Sequence, residues 1–253
     1  MMTHTMNPSL RERLVEIPAG KRTVRGVLSL PVDPLAVIAF AHGSGSGRFS
    51  PRNQFVARAL SDSRLATLLI DLLEEDEAVD RRKIFDIELL AERLQHAGSW
   101  LAQDVQTHSL PIGYFGASTG AAAALVAAAR SPDRIGAVVS RGGRPDLAGD
   151  HLPEVSAPTL LIVGSRDEEL LALNRQALAR LRCARELVVV PGATHLFEEP
   201  GTLEEVARLA TYWFVWYLGG KSKPDGDGSD TEQSSAASEL GARFPREDMD
   251  REC

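Results

Sequence analysis

Residues 116–120 read Gly-Ala-Ser-Thr-Gly, between an apolar run, Pro111-Ile112-Gly113-Tyr114-Phe115, and an alanine-rich stretch from Ala121 to Arg130. The pentapeptide has the G-x-S-x-G form of a nucleophile elbow, in which a strand runs through a tight turn into a helix. A serine at the tip of so sharp a turn has a strained backbone, and side chains two residues to either side would collide, so glycines at 116 and 120 are what the geometry demands. Ser118 then stands at the N-terminus of the following helix, where free amides and the positive end of the helix dipole favour developing negative charge. The plainer reading is a Gly-Ser turn that only joins two elements. The flanks, and partners in the right order downstream, favour the elbow.

A serine hydroxyl is a poor nucleophile at neutral pH. It needs a base, and the base needs a third group to hold its tautomer. Two histidines lie downstream, His151 and His195. His195 ends Pro191-Gly192-Ala193-Thr194-His195, the loop directly after the last apolar run, whereas His151 sits in a polar connection with no strand before it. Ligands of open α/β sheets bind at the carboxyl ends of strands, which favours His195. The acid is expected after the preceding strand, where Leu160-Leu161-Ile162-Val163-Gly164-Ser165-Arg166 leads to Asp167. Asp167 also suits a helix N-cap. Glu168 and Glu169 suit the acidic first turn of that helix, and Asp146 and Glu168 are the alternatives as the acid.

Two amides must bind the oxyanion. Thr119, next to the nucleophile, supplies one, and the loop His42-Gly43-Ser44-Gly45-Ser46-Gly47 supplies the other. Ser44 is the assignment there, with Gly43 the neighbouring alternative. As a nucleotide fingerprint the loop fails, because position 48 is Arg where G-x-G-x-x-G needs glycine, and no Lys-Ser/Thr follows. His42 reads as a structural hydrogen-bonding residue. Arg141 and Arg144 can border the pocket and attract an acidic substrate, or be surface charges on a Gly-rich turn; Arg48 and Arg52 carry the same ambiguity.

The elements that must position these residues alternate. Leu14–Ile17 and Val24–Leu30 flank Pro18-Ala19-Gly20 as a hairpin. Short apolar runs at 37–40, 65–70, 137–139, 159–163 and 187–190 read as buried strands. Helical patterns fall at 53–61, 87–100, 170–181 and 203–218, and the charged stretch 74–83 reads as loop. The pattern predicts an α/β fold with a mainly parallel sheet covered by helices on both faces. Only 20 positions separate Val139 from Thr159, too few for a lid domain. Aromatics crowd the closing helix from Tyr212 to Tyr217. Most should pack on the sheet, and any left exposed would offer a homodimer contact.

The chain of 253 residues is long enough for one large α/β domain, assigned to 14–218. Residues 1–13 read as a flexible start. From 219 to 253 the chain is polar and acidic, which predicts a disordered tail. The net charge of −7 leaves no excess of cations to replace counterions along a nucleic acid. No apolar run reaches membrane-spanning length, and the first residues lack the apolar core of a signal peptide. Two cysteines, Cys183 and Cys253, suggest neither a disulfide framework nor a metal site. A cytoplasmic protein with no cofactor or metal is expected.

His42-Gly43, Gly116-Ala117-Ser118-Thr119-Gly120, Asp167 and His195 together match the α/β-hydrolase pattern. Within it, the Gly164-Ser165-Arg166-Asp167 and Gly192-Ala193-Thr194-His195-Leu196-Phe197 stretches resemble the dienelactone hydrolase family over roughly 14–218. The resemblance implies a minimal hydrolase fold that cleaves esters, lactones or related acyl bonds of a small molecule without metal. Dienelactone hydrolases proper use a cysteine nucleophile; here Ser118 stands in its place, which points to a serine esterase. The alternatives are acyl transfer by the same triad and a non-catalytic binding module on this fold.

Overall fold

The computed structural model describes residues 10–220; the polar segment beyond 220 and residues 1–9 lie outside that range. Strands β1 (Arg11–Ala19) and β2 (Arg22–Leu30) form the hairpin, turning at Gly20, whose φ of +66° suits glycine. β1 thus begins inside the stretch expected to be a loose start. Its outer face is exposed and its inner face buried, the alternation of an edge strand.

The remaining strands are β3 (Ala36–Ala41), β4 (Leu65–Ile70), β5 (Ile112–Ala117), β6 (Ile135–Arg141), β7 (Thr159–Gly164) and β8 (Arg185–Val190). They complete an eight-stranded sheet in the order β1-β2-β4-β3-β5-β6-β7-β8, parallel from β4 to β8 and antiparallel at the hairpin edge. β3, β4, β5 and β7 are buried along their whole lengths, as expected of strands covered on both faces.

Helices α1 (Pro51–Asp62) and α6 (Thr202–Leu218) cover one face. The short α2 (Arg81–Ile84) lies in the charged stretch expected to be loop. α3 (Ile87–Leu101), α4 (Thr119–Ala129), a 3-10 segment (Pro145–Glu154) and α5 (Glu168–Arg180) cover the other face. Alanine, the best helix former, fills most of α4, and its small side chains let the helix sink into the core from Thr119 to Ala128. The 3-10 segment is all that lies between β6 and β7, so no lid is inserted there. Trp213 and Phe214 of α6 are buried, whereas Trp216 remains 39% exposed.

The chain passes from β3 to β4 on one side and then crosses to β5 on the other side of β3. Loops after β3 and β5 therefore diverge and leave a crevice, the switch point at which open α/β sheets bind ligands. Ala41 pairs with Gly116, Ala117 with Arg141, and Gly164 with Val190, so the functional loops leave the sheet along one edge.

Candidate active site

Ser118 follows β5 with φ +53° and ψ −123°, a conformation that L side chains rarely adopt. The collisions inferred from the sequence are present. A β-carbon on Gly116 would lie 2.4 Å from Ala121 Cα, and one on Gly120 would lie 2.1 Å from the Ala41 carbonyl oxygen. The Ser118 carbonyl accepts from the Ala121 and Arg144 amides, at 3.1 and 3.0 Å, and its own amide reaches the Arg141 carbonyl at 3.4 Å. The elbow is thereby tied to the start of α4 and to the loop after β6. Among the described residues the Ser118 hydroxyl has no protein hydrogen-bond partner.

Asp167 and His195 meet. His195 Nδ1 lies 2.9 Å from Asp167 Oδ2. A carboxylate only accepts, so Nδ1 carries the proton and Nε2 presents a lone pair. Asp167 Oδ1 meanwhile accepts from the Leu170 amide at 3.4 Å, capping α5. Catalytic partner and N-cap, rival readings of Asp167 in the sequence, are geometrically compatible because each uses a different oxygen.

Backbone contacts hold the two loops together. The Arg166 amide donates to the Ala193 carbonyl at 2.9 Å, and the Gly192 amide to Ser165 Oγ at 2.8 Å. Glu199 Oε2 accepts from the Thr194 amide at 3.1 Å, a bond that holds the Glu199 carboxyl below its ordinary pKa. Phe197, buried at φ +55°, anchors the far side of the histidine loop. The His195 side chain keeps 42% of its surface exposed, against 20% for Asp167.

The loop after β3 lies against the nucleophile, since a β-carbon on Gly43 would come 2.7 Å from Ser118 Cβ. His42 is buried and bonds across the sheet edge: Nε2 accepts from the Leu72 amide at 2.9 Å, and Nδ1 lies 3.0 Å from the Gly43 carbonyl. Burial pushes its pKa below the ordinary histidine value, so the imidazole is a neutral strut. Ser44, Gly43 and Thr119, the expected oxyanion donors, line a cavity of about 350 Å³ together with Leu73, Ile84 and Leu90. Sequence reasoning missed what secures this loop. Asp71, at the end of β4, accepts from the Arg48 amide at 2.6 Å and pairs with the Arg48 guanidinium. The available signal was an acidic residue closing a strand at the functional edge of the sheet.

The other candidates separate. Arg144 is held in a two-pronged pair by Asp146, at 2.9 and 2.7 Å, which occupies both the arginine and the alternative acid. Glu168 is in the first turn of α5. His151 lies against Glu154 at 3.0 Å, in the 3-10 segment. Arg141 is not a surface turn residue: it ends β6 and is only 8% exposed.

A model of the dienelactone hydrolase family matches residues 71–213, more than half of the chain. The chain belongs to the dienelactone hydrolase family. The fold is that of the α/β-hydrolases. A crystal structure of a dienelactone hydrolase from Anabaena variabilis is 51% identical, with a TM-score of 0.81 over 83% of this chain and 99% of that one. Est1E from Butyrivibrio proteoclasticus shares the fold at 16% identity, with a TM-score of 0.70 over 82% of this chain and 99% of its own. Two Mycobacterium tuberculosis proteins named "Putative phosphoribosyl transferase" are 57% identical over 214 residues, 85% of this chain and 48% of theirs. The chain thus spans about half the length of these curated relatives. Among the described residues, no helix is long and apolar enough to cross a membrane.

Proposed function

We propose that the protein is a serine hydrolase that cleaves a carboxylic ester, lactone or thioester bond of a small substrate. The observation that carries this reading is the 2.9 Å Asp167–His195 pair on loops beside a serine held in strained backbone geometry. In the reaction, Ser118 Oγ attacks the acyl carbon while His195 Nε2 takes its proton. Asp167 holds the imidazole and stabilises the cation that forms. The amides of Thr119 and of Ser44 or Gly43 bind the oxyanion. His195 then protonates the departing alkoxide or thiolate, activates water against the acyl-enzyme, and returns the proton to Ser118. Lactone opening is the same reaction with the leaving group tethered. Catalytic hydrogen bonds often tighten only in the complex, so the Oγ–Nε2 contact forms as substrate binds.

The name of the 51% identical Anabaena protein supports acyl hydrolysis. The phosphoribosyl transferase name belongs to longer proteins of which the matched stretch is 48%, and none of the residues described above calls for it. A fluorophosphonate tests the proposal, read by intact mass on wild type, Ser118→Ala and His195→Ala. Labelling of wild type alone is expected. A wild type that resists labelling, or a Ser118→Ala variant that keeps full esterase activity, overturns the assignment.

A further inference from the structure

The charged segment between β4 and α3 hides one carboxylate. Glu75, Asp76, Ala78 and Val79 around it are exposed, yet Glu77 is only 3% exposed. Its Oε1 accepts from Arg93 Nη2 of α3 and from Lys83 Nζ, each at 3.2 Å, and its Oε2 accepts from the Glu74 amide at 3.2 Å. Burial alone would raise the Glu77 pKa. The Glu74 amide, Lys83 and Arg93 outweigh it and hold the carboxyl below its ordinary value, so the pair is ionic. Arg93 is itself 5% exposed and its Nη1 is buried without a partner. Glu77 is the only carboxylate it pairs with among the described residues.

Little else holds this segment. Leu72 and Leu73 sink into the core at its start, but from 74 to 86 Glu77 is the only buried residue. The hairpin reaches it at the surface, where the Thr23 amide donates to Glu74 at 3.3 Å and Arg22 pairs with Asp76 at 3.0 Å. Exposed pairs of this kind contribute little. The segment matters because Leu73, Glu75, Ala78 and Ile84 line the 350 Å³ cavity. Leu90 of α3 lines it too, one helical turn before Arg93 and on the same side of the helix. The Glu77–Arg93 pair therefore fixes one wall of the cavity relative to another.

We propose that Glu77 and Arg93 are a positioning pair that sets acyl-chain length, pinning segment 72–84 to α3 so that the acyl cavity stays short. This rests on the serine hydrolase reading and narrows its substrates to esters of short acyl groups. His195, which protonates the leaving group in that reading, does not line the cavity, whereas the oxyanion donors do, so the cavity receives the acyl side. Its 350 Å³ is near the lower end of ligand pockets, about 300–1,000 Å³. An ion pair suits the role for its direction. Replacing a buried pair by well-packed apolar residues often costs no stability, because desolvation offsets the attraction of the charges. The planar guanidinium, however, accepts a carboxylate in few orientations, whereas apolar contacts are non-directional.

The test is the double variant Glu77→Leu/Arg93→Met, which leaves no buried charge alone and should fold. It is assayed on 4-nitrophenyl butyrate and 4-nitrophenyl decanoate. Wild type is expected to prefer butyrate. The double variant should lower the butyrate-to-decanoate ratio of kcat/KM by about 10-fold, the least that a fitted apolar pocket discriminates over one methylene. The change should come through a higher KM for butyrate more than through kcat. A general loss of structure would lower both esters together. A wild type without the preference, or a ratio unchanged in the variant, overturns the proposal. If the double variant does not fold, Arg93→Lys replaces it: the charge stays and the fork goes, so the ratio should fall by less, and an unchanged ratio again overturns the proposal. Backbone hydrogen exchange reads the pin without catalysis. Exchange over 72–84 should quicken in the variant while that of β5 stays as in wild type; equal exchange over 72–84 overturns the pin. Quickened exchange in a protein that fluorophosphonates do not label would keep the pin and remove the hydrolase, and with it the acyl-length role.

Discussion

At position 118 glycine should give a more stable protein than alanine, the reverse of the usual order. With φ +53° and ψ −123°, Ser118 occupies a region that costs a residue with a β-carbon about 1–3 kcal/mol. Ser118→Ala keeps the β-carbon and the strain, whereas Ser118→Gly releases it. Against that stands the greater backbone entropy glycine loses on folding, about 0.5–1 kcal/mol relative to alanine. The balance favours glycine by about 1 kcal/mol, or about 2–4 °C in Tm for a domain of this size. Urea unfolding of the two variants, with midpoints compared at equal slope, reads the difference directly. Both variants lack the nucleophile, so both should be inert to fluorophosphonates. A glycine variant less stable than the alanine variant by about 1 kcal/mol, as at an unstrained site, would refute the claim that the elbow stores strain.

The other predictions concern the loop after β3. Gly120→Ala would drive its β-carbon to 2.1 Å from the Ala41 carbonyl oxygen and 2.5 Å from that of His42. The variant should lose about 1–3 kcal/mol or more in urea unfolding, and its fluorophosphonate labelling should slow as the loop is displaced. His42, whose pKa burial depresses, should contribute stability that is full above its unfolded pKa of about 6.5. Below that pH the unfolded chain takes up a proton that the folded imidazole refuses. Stability should therefore fall, by at most about 1.4 kcal/mol per pH unit for this group. His42→Asn should be less stable at pH 7.5 yet show a shallower acid dependence in urea titrations; parallel pH profiles would remove His42 as the source.

What the sequence revealed follows the range of the forces involved. The elbow was legible because Gly116 and Gly120 answer a local steric demand, and short apolar runs marked the strands that feed it. Ser118, Asp167 and His195 could be placed because each follows a strand in a parallel sheet, so chain order alone assigns all three to one edge. Arg141 looked like part of a Gly-rich turn because nothing local shows that β6 continues past Val139; pairing of Arg141 with Ile162 extends it. The Arg48–Asp71 clamp was hidden for the same reason, since it joins loops that only the β3–β4 register brings together. Arg144 and Asp146, two positions apart, form a pair that short range did make available, and the sequence reading left them in separate roles.

These contacts also explain how a site without a lid can be held in shape. Substrate closure cannot assemble the proposed oxyanion loop and triad if no mobile domain folds over them, so the strand ends must hold the geometry beforehand. They do so through backbone packed on backbone. Gly120 rests on the carbonyls of Ala41 and His42, and a β-carbon on Gly164 would lie 2.3 Å from the Ala193 carbonyl oxygen. Each contact joins a loop to its neighbour: oxyanion loop to elbow, acid loop to histidine loop. Side chains can change rotamer, but parallel strands in register cannot slide singly, so these distances are inherited from the sheet. What the framework leaves least constrained is the partly exposed His195 ring and the Ser118 hydroxyl, the two groups that exchange a proton in the proposed mechanism. Rigidity thus sits in the peptide framework and freedom in the reacting atoms, which is the division that proton transfer at an open site requires.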